Sequence, residues 1–120
     1  MVAWHEPYWT SDSVERTRTL AVKPWVVHVL DKYDVPLLLN GHQHRYARSY
    51  SQSAGGSRND ATGIQEFIVG TGGIGFYNWT STAANVATQQ RHLWVAQTSS
   101  ASQRLLRMGF RWHRRRQLRR

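Results

Sequence analysis

The sequence contains no cysteine, which excludes disulfide bonds, thiolate-ligated zinc sites and cysteine nucleophiles. It also lacks any apolar run near the roughly 20 residues that a membrane helix requires, so no membrane span is expected. Hydrophobic residues nevertheless make up 40% of the chain, which is too many for a disordered protein. The 120 residues therefore fit a single domain with one modest core.

Acidic residues are absent from the last quarter of the chain. Residues 91–120 contain nine Arg and no Asp or Glu, whereas residues 1–90 contain seven basic and seven acidic residues. The net charge of +9 therefore comes entirely from the C-terminal part. This asymmetry predicts two regions, a neutral body (residues 1–90) and an Arg-rich basic tail (residues 91–120).

Short apolar stretches in the body have the length and composition of buried strands, at residues 2–4, 35–39 and 64–69, with a further strand expected within 45–50. Helical spacing of apolar residues from Pro24 to Tyr33 predicts a helix that ends at Asp34, with Pro24 in its first turn. Asp12 and Glu15 have the spacing of a capping box for an earlier helical segment. The order of these elements predicts a layered α/β (α+β) architecture.

Histidines follow two of the predicted strands. His5 comes directly after residues 2–4, and the segment Gly41-His42-Gln43-His44 comes directly after residues 35–39. On an extended backbone residues two apart point to one side, so His42 and His44 are expected to converge. Neutral imidazole is a common ligand of transition metals, and the three rings predict a metal site. The alternative is that these are polar loop histidines without a ligand.

Carboxylates are scarce beside these histidines. Glu6 is the one nearby acid in the body, and alternation along a strand predicts that it points away from His5. Metal sites for hard or mixed ions usually include carboxylates, so three histidines alone do not complete such a site.

The glycines at 70, 72 and 75 match the pattern G-x-G-x-x-G after a predicted strand. A dinucleotide site would also need a helix at once and an acidic residue about 20 residues further on. The residues that follow do not begin a helix, and no acid occurs after Glu66. A tight turn near the predicted site is therefore the favoured interpretation.

Three segments together resemble the calcineurin-like metallophosphoesterases, in particular their purple acid phosphatase branch. Residues 4–11 (WHEPYWTS) resemble the His-x-Pro block of that family, and residues 67–75 resemble its F-x-V-G-T-G-G stretch. Residues 35–48 (VPLLLNGHQHRYAR) resemble the terminal G-H-x-H block with its Y-x-R extension. The order and spacing of these segments agree with the family over residues 2–90.

This resemblance implies the fold and chemistry of a metal-dependent phosphoric ester hydrolase, similar to acid phosphatases. The expected fold is the C-terminal half of an αββα sandwich. His5 and His42 would ligate one of two transition-metal ions (Fe, Mn or Zn), and His44 would ligate the other. A metal-bound hydroxide would attack the phosphoester substrate, so no catalytic side chain beyond the ligands is implied. The resemblance also favours an extracytoplasmic location.

The sequence departs from the family in two ways. It lacks the early D-x-H, G-D-x-x and G-N-H blocks, which supply the bridging carboxylate and further ligands. Ala47 stands where the family usually has Glu, so Arg48 loses its expected local partner. The chain is therefore expected to be a fragment that needs the missing N-terminal half of the domain as its partner and is inactive alone.

Three interpretations of the basic tail remain open. It is a solvated tail, or a noncatalytic module that binds nucleic acid, because Arg interleaved with Trp and Phe suits phosphate contact and base stacking. The third is a one-base frameshift near Gln90, since RHLWVAQT read one base later permits the amphipathic strand D-T-F-G-L-L-K-L. On any of the three, the tail is expected to bind polyanions nonspecifically.

Overall fold

The computed structural model describes residues 1–10, 16–73, 75–78 and 82–90. Within them the chain forms five strands, a helix and a π-helical segment. In chain order these are β1 (Val2–Ala3), α1 (Arg16–Trp25), the π-helical segment (Val26–Asp31), β2 (Leu37–Asn40), β3 (Tyr46–Ser49), β4 (Gln65–Val69) and β5 (Val86–Gln90). The predicted strands are confirmed, and β5 was not predicted. The proposed capping box and the basic tail lie outside the described residues.

The strands form one mixed sheet in the order β1-β2-β4-β3-β5. The pairs β1–β2 and β2–β4 are parallel, whereas β3 runs antiparallel to both β4 and β5. Together with the helix, this sheet makes the described part of the chain an α+β structure. None of the helical segments in these residues is long and apolar enough to cross a membrane.

The parallel pair β1–β2 brings the histidine segments to one edge of the sheet. Ala3 pairs with Leu39, and the N–H of Trp4 donates to the Leu39 carbonyl at 3.1 Å. One step further, the N–H of Gly41 donates to the His5 carbonyl at 3.1 Å. Because parallel strands end on the same side, the residues that follow them meet there.

The helical region begins earlier than the sequence pattern suggested. The expectation that Pro24 lies in a first turn is wrong, because it lies inside α1 near its C-terminal end. A proline inside a helix removes one backbone donor and crowds the preceding turn. The π-helical segment follows directly, which is the kind of irregularity found where the regular hydrogen-bond ladder is interrupted.

The π-helical segment ends at Asp31, and a turn continues to Asp34, where the sequence predicted the end of the helix. This residue has a φ of 50°, in the left-handed region that often terminates a helix. The following N–H, from Val35, donates back to the Leu30 carbonyl at 2.9 Å. That bond satisfies a carbonyl that the end of the helix would otherwise leave without a partner.

Buried side chains lie on both faces of the sheet. On one face Leu38 packs with Val26 and Leu30 of the π-helical segment, and each of the three is at most 1% exposed. On the other face Leu37, Tyr46 and Phe67 form a second cluster. Burying a Val or Leu side chain contributes about 1.5–3 kcal/mol, so the contacts of Leu38 with Val26 and Leu30 fix the sheet against the π-helical segment.

Candidate metal centre

His5 and His42 lie in direct contact at the carboxyl ends of β1 and β2. The Nε2 atom of His5 is 3.1 Å from Nδ1 of His42, and the ring centroids are 5.0 Å apart with the planes at 80°. Two ring nitrogens this close share either one proton or one cation between them, because two lone pairs facing each other repel. The structure therefore places these two histidines in direct contact.

The backbone reaches this geometry through His42 itself. His42 has a φ of 55°, a left-handed conformation that is uncommon outside glycine but enriched for histidine. The expectation of an extended backbone from His42 to His44 is wrong, since residues 42–45 form a series of bends before β3 begins. Strained backbone of this kind is concentrated at functional sites.

Glu6 lies close to His42, contrary to the expectation that it points away. Its Oε2 atom is 3.4 Å from Nε2 of His42. Strand alternation does not apply here, because β1 ends at Ala3 and residues 5 and 6 lie in a bend. In the described part of the chain, His5, Glu6 and His42 form the one group of three residues whose possible ligand atoms all lie within 4.8 Å.

Asn40 holds the segment that carries His5 and Glu6. Its Nδ2 atom donates to the carbonyls of Trp4 at 3.1 Å and of Glu6 at 2.9 Å. The Trp4 indole also donates to the Glu6 carbonyl, at 2.6 Å. Asn40 was not predicted as a site residue; its position at the end of an apolar strand, directly before Gly41, was the available signal.

His44 lies apart from the other two histidines. Its Nδ1 atom is 3.2 Å from the carbonyl oxygen of Gly75, and its ring lies against that of Tyr77 with centroids 4.2 Å apart. His44 does not belong to the group formed by His5, Glu6 and His42. The structure therefore brings together two of the three predicted ligands and places the third on the side of the glycine-rich stretch.

The glycine-rich stretch, with glycines at 70, 72, 73 and 75, makes a close backbone contact with the histidine loop, residues 41–45. A Cβ atom at Gly70 would overlap the carbonyl oxygen of Gln43, so no residue with a side chain fits at this position without a shift of the backbone. The N–H of Gly70 donates to the Arg45 carbonyl at 3.1 Å. Residues 72 and 73 form a bend, and the described residues 75–78 form no helix.

A buried polar network lies beneath the histidine loop. Arg45 is fully buried and donates from Nε and one terminal nitrogen to Oε1 of Gln43, at 3.1 and 2.8 Å, and from the other terminal nitrogen to the Asn78 carbonyl at 3.2 Å. Gln43 in turn donates from Nε2 to the Thr10 hydroxyl. This network joins three separate segments around the site.

Arg48 lies on β3, directly after Ala47. Its buried Nε has no hydrogen-bond partner among the described residues. Ala47 beside it offers no acceptor on its side chain.

Glu66 is a buried carboxyl group in the middle of the sheet, only 2% exposed. Its two oxygens accept hydrogen bonds from the backbone N–H groups of Tyr8, at 2.7 Å, and Trp9, at 3.1 Å. Burial raises the pKa of Glu66 to about 8, and the two N–H donors only partly offset that effect. Glu66 was assigned no role from the sequence, because a single acid inside a predicted strand does not indicate which groups it contacts.

No model of a protein family matches this chain, and no curated protein matches it either. Its function is therefore inferred from the site and from the resemblance of its motifs.

Proposed function

We propose that this chain is part of a dinuclear metal-dependent phosphoesterase, in which His5 and His42 hold one metal ion and His44 contributes to the second. The proposal includes the C-terminal half of an αββα sandwich, of which the described sheet and helix would form one part. The ions would be Fe, Mn or Zn, which imidazole ligands accommodate.

The distance between the ring nitrogens of His5 and His42 is the observation that carries the proposal. Metal–imidazole bonds are about 2.1 Å long, so two nitrogens bound to one ion lie about 3.0 Å apart at adjacent octahedral positions and about 3.4 Å apart at tetrahedral positions. The 3.1 Å between Nε2 of His5 and Nδ1 of His42 lies within that range. These two residues therefore fit a single metal ion.

Glu6 fits the role of a carboxylate partner for His42. Histidine ligands usually donate their second ring N–H to a carboxylate or carbonyl, which fixes the tautomer and the ring orientation. With Nδ1 of His42 facing His5, its Nε2 faces the Glu6 carboxylate at 3.4 Å. A proton on Nε2 would leave Nδ1 of His42, which is 3.1 Å from Nε2 of His5, available as a metal ligand.

The chain's own residues supply binding and orientation rather than proton transfer to the substrate. His5 and His42 would hold the ion, and Glu6 would orient His42. Asn40 fixes the backbone on both sides of His5. When bound, the metal pair supplies Lewis acidity that polarises the phosphoester and neutralises its developing charge. The family's missing N-terminal blocks would supply the remaining ligands.

Zinc binding to the full 120-residue chain tests the proposal. We expect isothermal titration calorimetry to detect one zinc ion for the wild-type chain. His5→Ala or His42→Ala should each weaken binding more than about 100-fold, beyond the usual effect of losing an outer partner. His28→Ala is the matched control, because His28 is exposed on the π-helical segment. Equal affinity in all four proteins would overturn the proposal.

Turnover tests the expectation that the chain is incomplete. With zinc, manganese or iron present, the purified chain should hydrolyse an aryl phosphate no faster than its His5→Ala variant. Metal-dependent turnover that the substitution abolishes would show that the chain needs no further ligand blocks.

A further inference from the structure

We infer that Glu66 is a positioning residue for the metal centre, acting through the backbone of the segment that carries His5 and Glu6. This inference rests on the proposed function, since Glu66 would hold the residues of that same metal centre in place.

The position of Glu66 in the fold suits this role. It lies on β4, whose neighbours β2 and β3 pair with it on both sides, so its backbone is held within the sheet. Its N–H donates to Oγ of Ser49 at 2.9 Å, which ties it further to β3. The carboxyl group is therefore attached to backbone that the neighbouring strands hold in place.

The contacts of Glu66 end on the segment that follows the metal-binding residues. Tyr8 and Trp9 are 58 and 57 residues away along the chain, and both donate their backbone N–H groups to the Glu66 carboxyl. Loop backbone has no ladder to satisfy its donors, so a buried acceptor determines where such a loop lies. The two bonds fix the segment only two residues after Glu6 and three after His5.

The other end of the same segment is fixed independently. Asn40 binds the carbonyls of Trp4 and Glu6 from β2. Glu66 binds the N–H groups of Tyr8 and Trp9, so hydrogen bonds hold the short bend with His5 and Glu6 at both of its ends. Site geometry on loops depends on such support, because displacements near 1 Å already weaken a metal or catalytic site.

Two substitutions separate this role from general stability. Glu66→Gln keeps the shape but replaces one acceptor oxygen with a donor that faces an N–H group, and Glu66→Leu removes both acceptors. Phe67→Leu is the matched control, because Phe67 is the next residue on β4, equally buried at 2%, and packs in the cluster of the opposite face.

Hydrogen exchange and zinc affinity are the two measurements. In the wild-type chain the amides of Tyr8 and Trp9 should exchange slowly, and Glu66→Gln and Glu66→Leu should speed their exchange while β2 stays protected. The same variants should weaken zinc binding about 10-fold or more, as the loss of supporting partners does elsewhere. Phe67→Leu should change neither local exchange at these amides nor, within about two-fold, zinc affinity while the protein remains folded.

The outcomes distinguish the two proposals. If the wild-type chain binds zinc and both Glu66 variants bind it equally well, the inference is overturned and the proposed function stands. If the wild-type chain does not bind zinc, the proposed function fails, and exchange at Tyr8 and Trp9 then shows whether Glu66 fixes this segment. Exchange there that is already fast in the wild-type chain overturns the inference as well.

Discussion

His42 shows how one residue at this site serves two contacts. Its left-handed backbone turns the ring so that Nδ1 faces His5 and Nε2 faces Glu6. A non-glycine residue in this conformation persists only where its surroundings hold it, at a cost of about 1–3 kcal/mol. The contacts of the ring with His5 and Glu6 are the interactions that offset such a cost.

Removing the carboxylate beside His42 should weaken metal binding without abolishing it. Glu6→Gln leaves both histidines in place but removes the charge next to Nε2, so we expect zinc affinity to fall about 10-fold. Titration of the variant beside the wild-type chain measures the change. A loss as large as that of His42→Ala would instead identify Glu6 as a direct ligand.

Glu66 should make folding stability depend on pH. Its pKa is about 8 in the folded chain against 4.5 for the free side chain, so the folded state retains the proton that the unfolded state releases. Its contribution to stability is then full below pH 4.5 and is lost as the pH rises towards 8, by at most about 1.4 kcal/mol per pH unit. Urea unfolding at several pH values measures this slope.

The control for this slope is Glu66→Gln, which cannot titrate. Its unfolding free energy should vary less between pH 5 and 8 than that of the wild-type chain. Parallel curves for the two proteins would mean that other groups cause the dependence.

At the scale of elements, the end of β4 and the loop before β3 fit each other without space for a side chain. Parallel pairing with β2 determines where β4 ends, and Gly70 then lies against the Gln43 carbonyl. The histidine loop therefore depends on a contact between two elements that are far apart in the sequence.

Gly70→Ala should disturb the fold and the site together. The new methyl group would meet backbone, which cannot move aside cheaply, so we expect a loss of about 3 kcal/mol in unfolding free energy. Gly72→Ala is the control in the same stretch, because a Cβ atom there meets nothing within 4 Å. Thermal unfolding of both variants measures the difference, and equal stability would contradict the described contact.

At the scale of the whole molecule, the charge is divided along the chain rather than mixed. The neutral body contains the residues of the candidate metal centre, whereas the basic tail contains all the excess charge. Metal binding and polyanion binding should therefore respond to different substitutions.

Binding of single-stranded DNA should fall steeply with salt. Each phosphate contact contributes about −0.7 to the slope of log affinity against log salt, so replacing Arg114, Arg115 and Arg116 with Ala should reduce the slope by about 2. Fluorescence anisotropy across salt concentrations measures this. Replacing His5, His42 and His44 should leave the slope unchanged, and a changed slope would place the polyanion site in the body.

Local sequence patterns predicted most of the strands, but they missed β5 and misplaced Pro24. Apolar runs identified β1, β2 and β4, because buried strands require such residues. They missed β5 (Val86–Gln90), because its residues are mostly small and polar. Its pairing with β3 makes it a strand, which its composition does not indicate. Pro24 was misplaced for a similar reason, since its propensity concerns isolated helices and the surrounding structure overrides it.

The sequence by itself determined which residues are available to the candidate site: histidines directly after two apolar strands, with no cysteine and few acids. Only the tertiary structure decided which of them meet. Parallel pairing of β1 with β2 joined His5 to His42, a bend turned Glu6 towards them, and Glu66 met Tyr8 and Trp9 from 58 and 57 residues away. Spacing along a chain governs short-range direction, whereas contacts between distant segments depend on how the sheet is assembled.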